Sequence, residues 1–163
     1  MIQIHSTDKR QKVPFEPRIP LGATGKLHDP TLEKPQGAPP EWTCLAFLVR
    51  SCIVEGTRYP WDEYLLWNRV EGFRWLMHSN GHWTWLTPTP AGEIELTFRQ
   101  AKFGGQTFRG YQSVYAKTEY VAGECYWQVR AGELALATEF IAPPRSVNCD
   151  QNDNEASFTL GVM

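Results

Sequence analysis

Residues 57–86, TRYPWDEYLLWNRVEGFRWLMHSNGHWTWL, constrain the fold more than any other stretch. Trp61, Trp67, Trp75, Trp83 and Trp85 are concentrated there, with Tyr59, Tyr64 and Phe73 between them. Two short gaps, Asn68 to Gly72 and Ser79 to Gly81, break the stretch. Aromatic and branched residues bounded by turn formers read as antiparallel strands joined by tight turns. No part of the chain sustains a 3.6-residue apolar period, so the expected class is mainly β. An antiparallel β-barrel, or a strongly curved sheet of meander hairpins, is favoured over a sandwich. The apolar residues alternate cleanly, and closure removes exposed edges.

The turn at Ser79-Asn80-Gly81 fixes a register. A two-residue loop pairs Ser79 with His82 and splits the tryptophans between faces. A three-residue loop pairs His78 with His82 and gathers Phe73, Trp75, Met77, Trp83 and Trp85 on one face. Because a one-residue slip moves every side chain to the other face, the apolar set predicts the three-residue loop, with Gly81 left-handed.

Residues 43–54, TCLAFLVRSCIV, are apolar on both faces in their middle, as a central strand would be. A second strand is expected over 58–67, and 93–99 suits a short one. In the last third, strands are expected over 112–121, 124–130 and 133–141, joined by Ala122-Gly123 and Ala131-Gly132. That meander places Tyr120, Cys125, Trp127, Val129, Leu134 and Leu136 on a dry face. Glu119, Glu124, Tyr126, Gln128, Arg130 and Glu133 fall on a wet one. Pro143-Pro144 ends it, 145–156 reads as a polar loop, and 157–162 suits a closing strand. At the other end, seven prolines punctuate residues 1–42, and proline donates no ladder hydrogen bond. Residues 21–28 suit a short strand. The organisation expected is an N-terminal arm over 1–19 and a single β domain over 20–163.

With 163 residues and a formal net charge of −2 spread along the chain, non-specific nucleic-acid binding is disfavoured. The longest fully apolar run, 45–49, is far shorter than the roughly 18 residues of a membrane-spanning helix. The first residues lack an apolar signal core, so a cytoplasmic location is expected, with Cys44, Cys52, Cys125 and Cys149 reduced.

The order W-D-E-Y-L-L at 61–66, G-F-R-W-L at 72–76, G-H-W at 81–83, G-E-x-Y-W-x-V at 123–129 and I-A-P-P at 141–144 resembles the family catalogued as domain of unknown function 4178. L-G-A-T-G-K-L at 21–27 is similar to its glycine-rich opening, so the resemblance covers roughly residues 20–162. It implies no established activity. Some members of the family carry a Cys-pair zinc ribbon ahead of the domain, and some lie near membrane-stress genes, which leaves a membrane-associated partner open. This chain lacks the ribbon cysteines, carries extra residues around 29–42, and ends soon after Leu160-Gly161.

Candidate sites follow from residue type. His78 and His82 become cross-strand neighbours in the three-residue register, but two histidines fall short of the three or four ligands zinc needs. Glu63 beside Trp61, and Glu124 with Tyr126, are carboxylates that acid–base chemistry would use if they converged. Aromatic platforms with alternating basic residues stack bases or sugars, but here the basic residues do not cluster and most tryptophans alternate onto an apolar face, which favours core packing. The ligand or interaction set is therefore Trp61, Glu63, Tyr64, His82, Glu124 and Tyr126, with no catalytic constellation, metal or cofactor expected. The favoured function is a non-enzymatic protein-interaction or assembly subunit. The alternatives are a small-ligand or metal-binding barrel, and a hydrolase-like enzyme using a carboxylate pair. The expected partner is protein, with self-association through the arm. Ile2, Ile4, Val13 and Phe15 supply its apolar contacts, and Ile2 and Ile4 alternate as a strand's would.

Overall fold

The computed structural model describes residues 15–126, 129–153 and 155–163. Apart from one 3₁₀ turn, Ala91–Glu93, its regular structure is β. The strands are β1 (Thr24–Lys26), β2 (Glu41–Val54), β3 (Thr57–Asn68), β4 (Gly72–Ser79), β5 (His82–Thr89), β6 (Glu95–Leu96), β7 (Gln100–Phe103), β8 (Gln106–Gly123), β9 (Leu134–Ala142), β10 (Arg145–Gln151) and β11 (Ala156–Val162). Two antiparallel meanders, β2-β3-β4-β5 and β8-β9-β10-β11, meet along two seams. β5 pairs with β11 and β2 with β8, both antiparallel, which closes an eight-stranded barrel as the alternation predicts.

The two halves correspond strand for strand. Each meander's first strand pairs with the other's first, and last with last. Each half also carries a short strand beside the start of its meander, β1 on β2 and β7 on β8.

An eight-stranded barrel is just wide enough for side chains to fill. Inside, Ala46, Leu48, Leu65, Trp75, Leu86 and Val121 pack with Phe73 and Met77. The outer wall is also dry in two places. Trp42, Cys44, Phe47, Val49, Tyr64, Leu66 and Trp85 lie beneath Ile19. Phe108, Phe140, Val147, Cys149, Phe158 and Leu160 lie beneath Ile94, Ala101 and Phe103. β2 is therefore apolar on both faces because a barrel wall is buried from within and, here, from without. Arg18 N–H donates to the Tyr64 hydroxyl (2.8 Å), and the rings of Phe15 and Tyr120 lie 5.5 Å apart. Residues 15–19 of the expected arm thus dock on their own barrel. Ile2, Ile4 and Val13 lie outside the described residues.

Three sequence expectations are corrected. The turn at 80–81 has two residues: Ser79 pairs with His82 and His78 with Trp83. Asn80 and Gly81 both take positive φ, the signature of a type I′ hairpin, whose twist matches the flanking strands. Phe73, Trp75 and Met77 consequently face inward, while Trp83 and Trp85 face outward. The apolar set misdirected the register because both faces of this wall are dry. Second, the described residues of the expected 124–130 strand, 124–126 and 129–130, belong to no strand. β8 runs directly against β9, Lys117 opposite Leu134, and Cys125 and Val129 are buried against the inner core. Trp127 and Gln128 lie outside the described residues. Third, 145–156 is largely strand: β10 is polar in sequence because Ser146, Asn148 and Asp150 point into the barrel's polar half. Residues 93–99 hold the end of the 3₁₀ turn and the two residues of β6.

Gly123 makes the β2–β8 seam close. A Cβ there would lie 2.2 Å from the Leu45 carbonyl oxygen, and its φ is +88°. Glycine is required on both counts.

Candidate functional site

Two features stand out: a charged cluster inside the barrel and an open notch in its wall. In the cluster, Arg50 on β2 points inward, and its Nη1 donates to Glu63 on β3 (3.3 Å) and to Asp150 on β10 (3.1 Å). Its guanidinium also lies 5.8 Å from the Trp61 ring centroid, within cation–π range. Arg50 and Glu63 are both buried, whereas Asp150 is partly open to solvent. Burial alone would lower the guanidinium pKa, but the charges of Glu63 and Asp150 outweigh it and hold Arg50 above its ordinary value. Glu63 is raised because burial outweighs the opposing pull of Arg50 and of the Trp61 indole N–H. One cation thus occupies the space between two carboxylates.

Cys125, Tyr126 and Val129 pack against the inner core. The Trp75 indole N–H donates to the Tyr126 hydroxyl (3.1 Å), and the rings of Phe73 and Tyr126 are 4.5 Å apart. Burial pushes Tyr126 up to about 12 and the Cys125 thiol up to about 12.

The notch arises from unequal strand lengths. β8 has 18 residues and β2 has 14. On the edge of β8 that faces β2, pairing to β7 covers 106–109 and pairing to β2 covers 117–123. Between them, among the described residues, nothing pairs with residues 111–116 on that side. Thr118 uses both backbone groups toward β9, with Glu133 and Gly132. By the two-residue alternation of an antiparallel ladder, Ser113 and Tyr115 turn theirs toward the gap. The end of β2 borders it as well, so Ser51, Cys52, Ile53 and Val54 face Ser113, Val114, Tyr115, Lys117 and Leu134 across a groove of about 530 Å³. Its rim is apolar and exposed: Ile53 72%, Tyr115 68%, Leu134 60%.

The sequence-predicted residues do not form one site. Trp61 and Glu63 belong to the inner cluster. Tyr64 is fully buried on the outer wall, stacked on Phe47. His82 is exposed at the β4–β5 turn, on the opposite face from His78, which rests on Trp83. The two histidines therefore cannot share a metal, and no cluster of three or more His, Cys, Asp or Glu side chains suited to a metal occurs among the described residues. Glu124 is exposed on the loop, while Tyr126 turns into the barrel end, so the shared wet face is corrected too. Phe15 lies on Tyr120.

Sequence reasoning missed Arg50, Asp150 and the notch. Arg50 was legible as the lone charge in an apolar strand, where a buried cation demands a partner. The notch carried no signal, since it depends on which strands meet.

The family model for a domain of unknown function (DUF4178) matches residues 40–162. The chain belongs to that family. The match begins at the start of β2, so it takes in the whole closed barrel and leaves β1 and the 21–27 segment outside. No curated protein and no solved structure matches the chain. No helix among the described residues is long and apolar enough to cross a membrane.

Proposed function

We propose that this member of the domain of unknown function family is a non-enzymatic interaction module, and that it takes an extended peptide segment of a partner protein as an added strand in the notch. The observation that carries this reading is the edge of β8 at 111–116, which no described strand pairs on the β2 side, flanked by the exposed apolar side chains of Ile53, Tyr115 and Leu134. Strand addition draws affinity from main-chain hydrogen bonds and specificity from alternate side chains. An open edge with an apolar rim is what natural sheets otherwise cover or charge. The barrel interior supports a scaffold role, because Trp75 and the Arg50 cluster fill it. The carboxylate-pair alternative is less well supported, since Glu63 is buried and paired with Arg50 while Glu124 is exposed.

The test is a random-peptide display selection against the intact protein. Selected peptides should alternate apolar and polar residues and slow amide exchange at Ser113 and Tyr115. They should lose binding in the Ile53→Lys/Leu134→Lys variant. Peptides that bind without protecting 111–116, or that bind the variant equally well, would refute the reading.

A further inference from the structure

We infer that the half of the barrel lumen lined by β9, β10 and β11 binds a small neutral polyhydroxylated ligand, of the class of a monosaccharide. This site is distinct from the strand edge of β8, and neither reading requires the other.

Three observations converge. First, burial in this half is inverted. Phe140, Val147, Cys149, Phe158 and Leu160 point away from the lumen and are buried. Ala137, Glu139, Ser146, Asn148, Asp150 and Thr159 point into it and stay partly open to solvent. Their direction is fixed by register: Leu86 of the inner core pairs with Gly161, Gly161 with Ser146, and Asn148 with Glu139. Trp75 and the Arg50 cluster fill the lumen beneath β2–β5 and leave this side accessible.

Second, the barrel is wide for its strand number. The ladder row that leaves Ala46 on β2 through Leu65 and Trp75 returns to β8 at Arg109, whereas Ala46 itself pairs with Gly123. Once the bulges at Tyr111 and Glu119 are discounted, the stagger is about 12 residues. A (β/α)8 barrel, also of eight strands, has a shear of about 8. More stagger at fixed strand number widens the lumen, and an eight-stranded interior can hold one small ligand. Here the extra width meets the small side chains of Ala137 and Ser146 and the bare Gly161. The way in is the notch. The β2–β8 ladder ends at Ser51–Lys117, one pair beyond Arg50. Val114, in the notch lining, shares a ladder row with Ala137 and Asp150.

Third, spare donors and spare acceptors face the same space. Arg50 is 9% exposed and bonds through Nη1 alone, so its Nε and Nη2 hydrogens meet no described partner. Glu139 makes no hydrogen bond or ion pair with a described residue, and burial alone holds its carboxyl above its ordinary value. Asn148 spends its amide N–H on the Ser146 hydroxyl (3.0 Å) and keeps its carbonyl oxygen free to accept. Asp150 pairs with Ala137, so Glu139 is its diagonal neighbour, roughly 7–8 Å away. That separation suits a sugar-sized ring hydrogen-bonded at both edges. A hydroxyl donates and accepts at once, so a polyhydroxylated ligand meets the carboxylates and the guanidinium together. A simple cation would leave the Arg50 donors unmet, and a simple anion would face Glu63 and Asp150.

The experiment is saturation-transfer NMR on the intact protein. The neutral probes are glucose, galactose, mannose, ribose and myo-inositol, and the charged probes are ethanolamine and glycolate. At least one neutral probe should bind saturably with a Kd below about 10 mM, at least tenfold tighter than either charged probe. Ala137→Leu, which fills the space, and Glu139→Ala, which removes an acceptor, should each weaken that binding at least tenfold. Glu124→Gln, at an exposed carboxylate outside the lumen, should leave it unchanged. Far-UV circular dichroism checks that each variant is folded. The inference is overturned if no neutral probe binds below that limit, if ethanolamine or glycolate binds as tightly, or if the folded lumen variants bind like the parent. Peptide protection of 111–116 tests the strand edge separately, so either reading can fail alone.

Discussion

Replacing Arg50 with Met should destabilise the protein in a way that depends on pH. At 3.3 Å and an effective dielectric constant of 20, the Arg50–Glu63 attraction is about 5 kcal/mol. Breaking a buried pair by removing one partner typically costs about 3–5 kcal/mol. Glu63 has an escape, because it can take up a proton. From its reference value of 4.5, neutralisation at pH 7 costs about 3.4 kcal/mol at 1.36 kcal/mol per pH unit, and this caps the charge penalty. The Asp150 contact adds little, because that carboxylate is partly solvated and screened. The sign follows from the raised folded-state pKa of Glu63. Stability linked to this group is fully present below the unfolded pKa near 4.5 and is lost as pH rises through the folded value. Without Arg50 that folded value climbs further, so the variant keeps losing stability at pH values where the parent has levelled. Thermal and urea melts followed by circular dichroism should show Arg50→Met less stable by about 3 kcal/mol at pH 7, or roughly 6–12 °C in Tm. At pH 5 the deficit should shrink to about 1 kcal/mol. Adding Glu63→Gln should flatten the pH dependence and recover part of the loss. A deficit that is the same at pH 5 and pH 8, or below about 1 kcal/mol throughout, would refute this account of the cluster.

Other outcomes are open to direct measurement. Trp75→Ala removes a ring packed in the inner core and should lower stability by about 3–5 kcal/mol in urea titration. Gly123→Ala forces a Cβ against the Leu45 carbonyl at the seam, and should lower Tm more than Gly132→Ala, whose added Cβ meets open space. In thiol labelling of the native protein, Cys52, half-buried beside the notch, should react first. Cys44, Cys125 and Cys149 should lag, since burial holds them at about 11, about 12 and about 11. His82→Ala, at an exposed turn position, should change stability by less than about 0.5 kcal/mol, and a larger loss would mean that the histidine holds something.

The fold class was legible because period-two alternation is a local property. Strand positions in β2, β3 and the β4–β5 hairpin followed from composition and turns alone. Register did not, because Trp85 lies on an outer wall that the N-terminal segment dries, Trp83 rests on Tyr64 and His78 outside it, and local patterning cannot say which apolar face is the lumen. The 124–133 segment misled for a related reason. Its Cys125 and Val129 do face the core, but from positions outside any strand. Glu63 was singled out for its chemistry, yet its meaning depends on Arg50 and Asp150, distant in sequence and brought together only by closure. β10 was hidden because a strand whose inward face is polar resembles a loop.

The two-halved construction has a consequence for how the chain reaches its native state. Within each meander, neighbouring strands are joined by short connections, apart from the 124–133 loop, so most pairings inside a half need little loop closure. The seams are different: Leu48 must find Val121, and Trp85 must find Val162. Contacts so far apart in sequence are entropically slow to form. The rate-limiting event should be the zipping of one seam, with each half already curved. Substitutions at Val121 should therefore slow refolding, while those at the β4–β5 turn should mainly speed unfolding, a division that stopped-flow chevrons read directly.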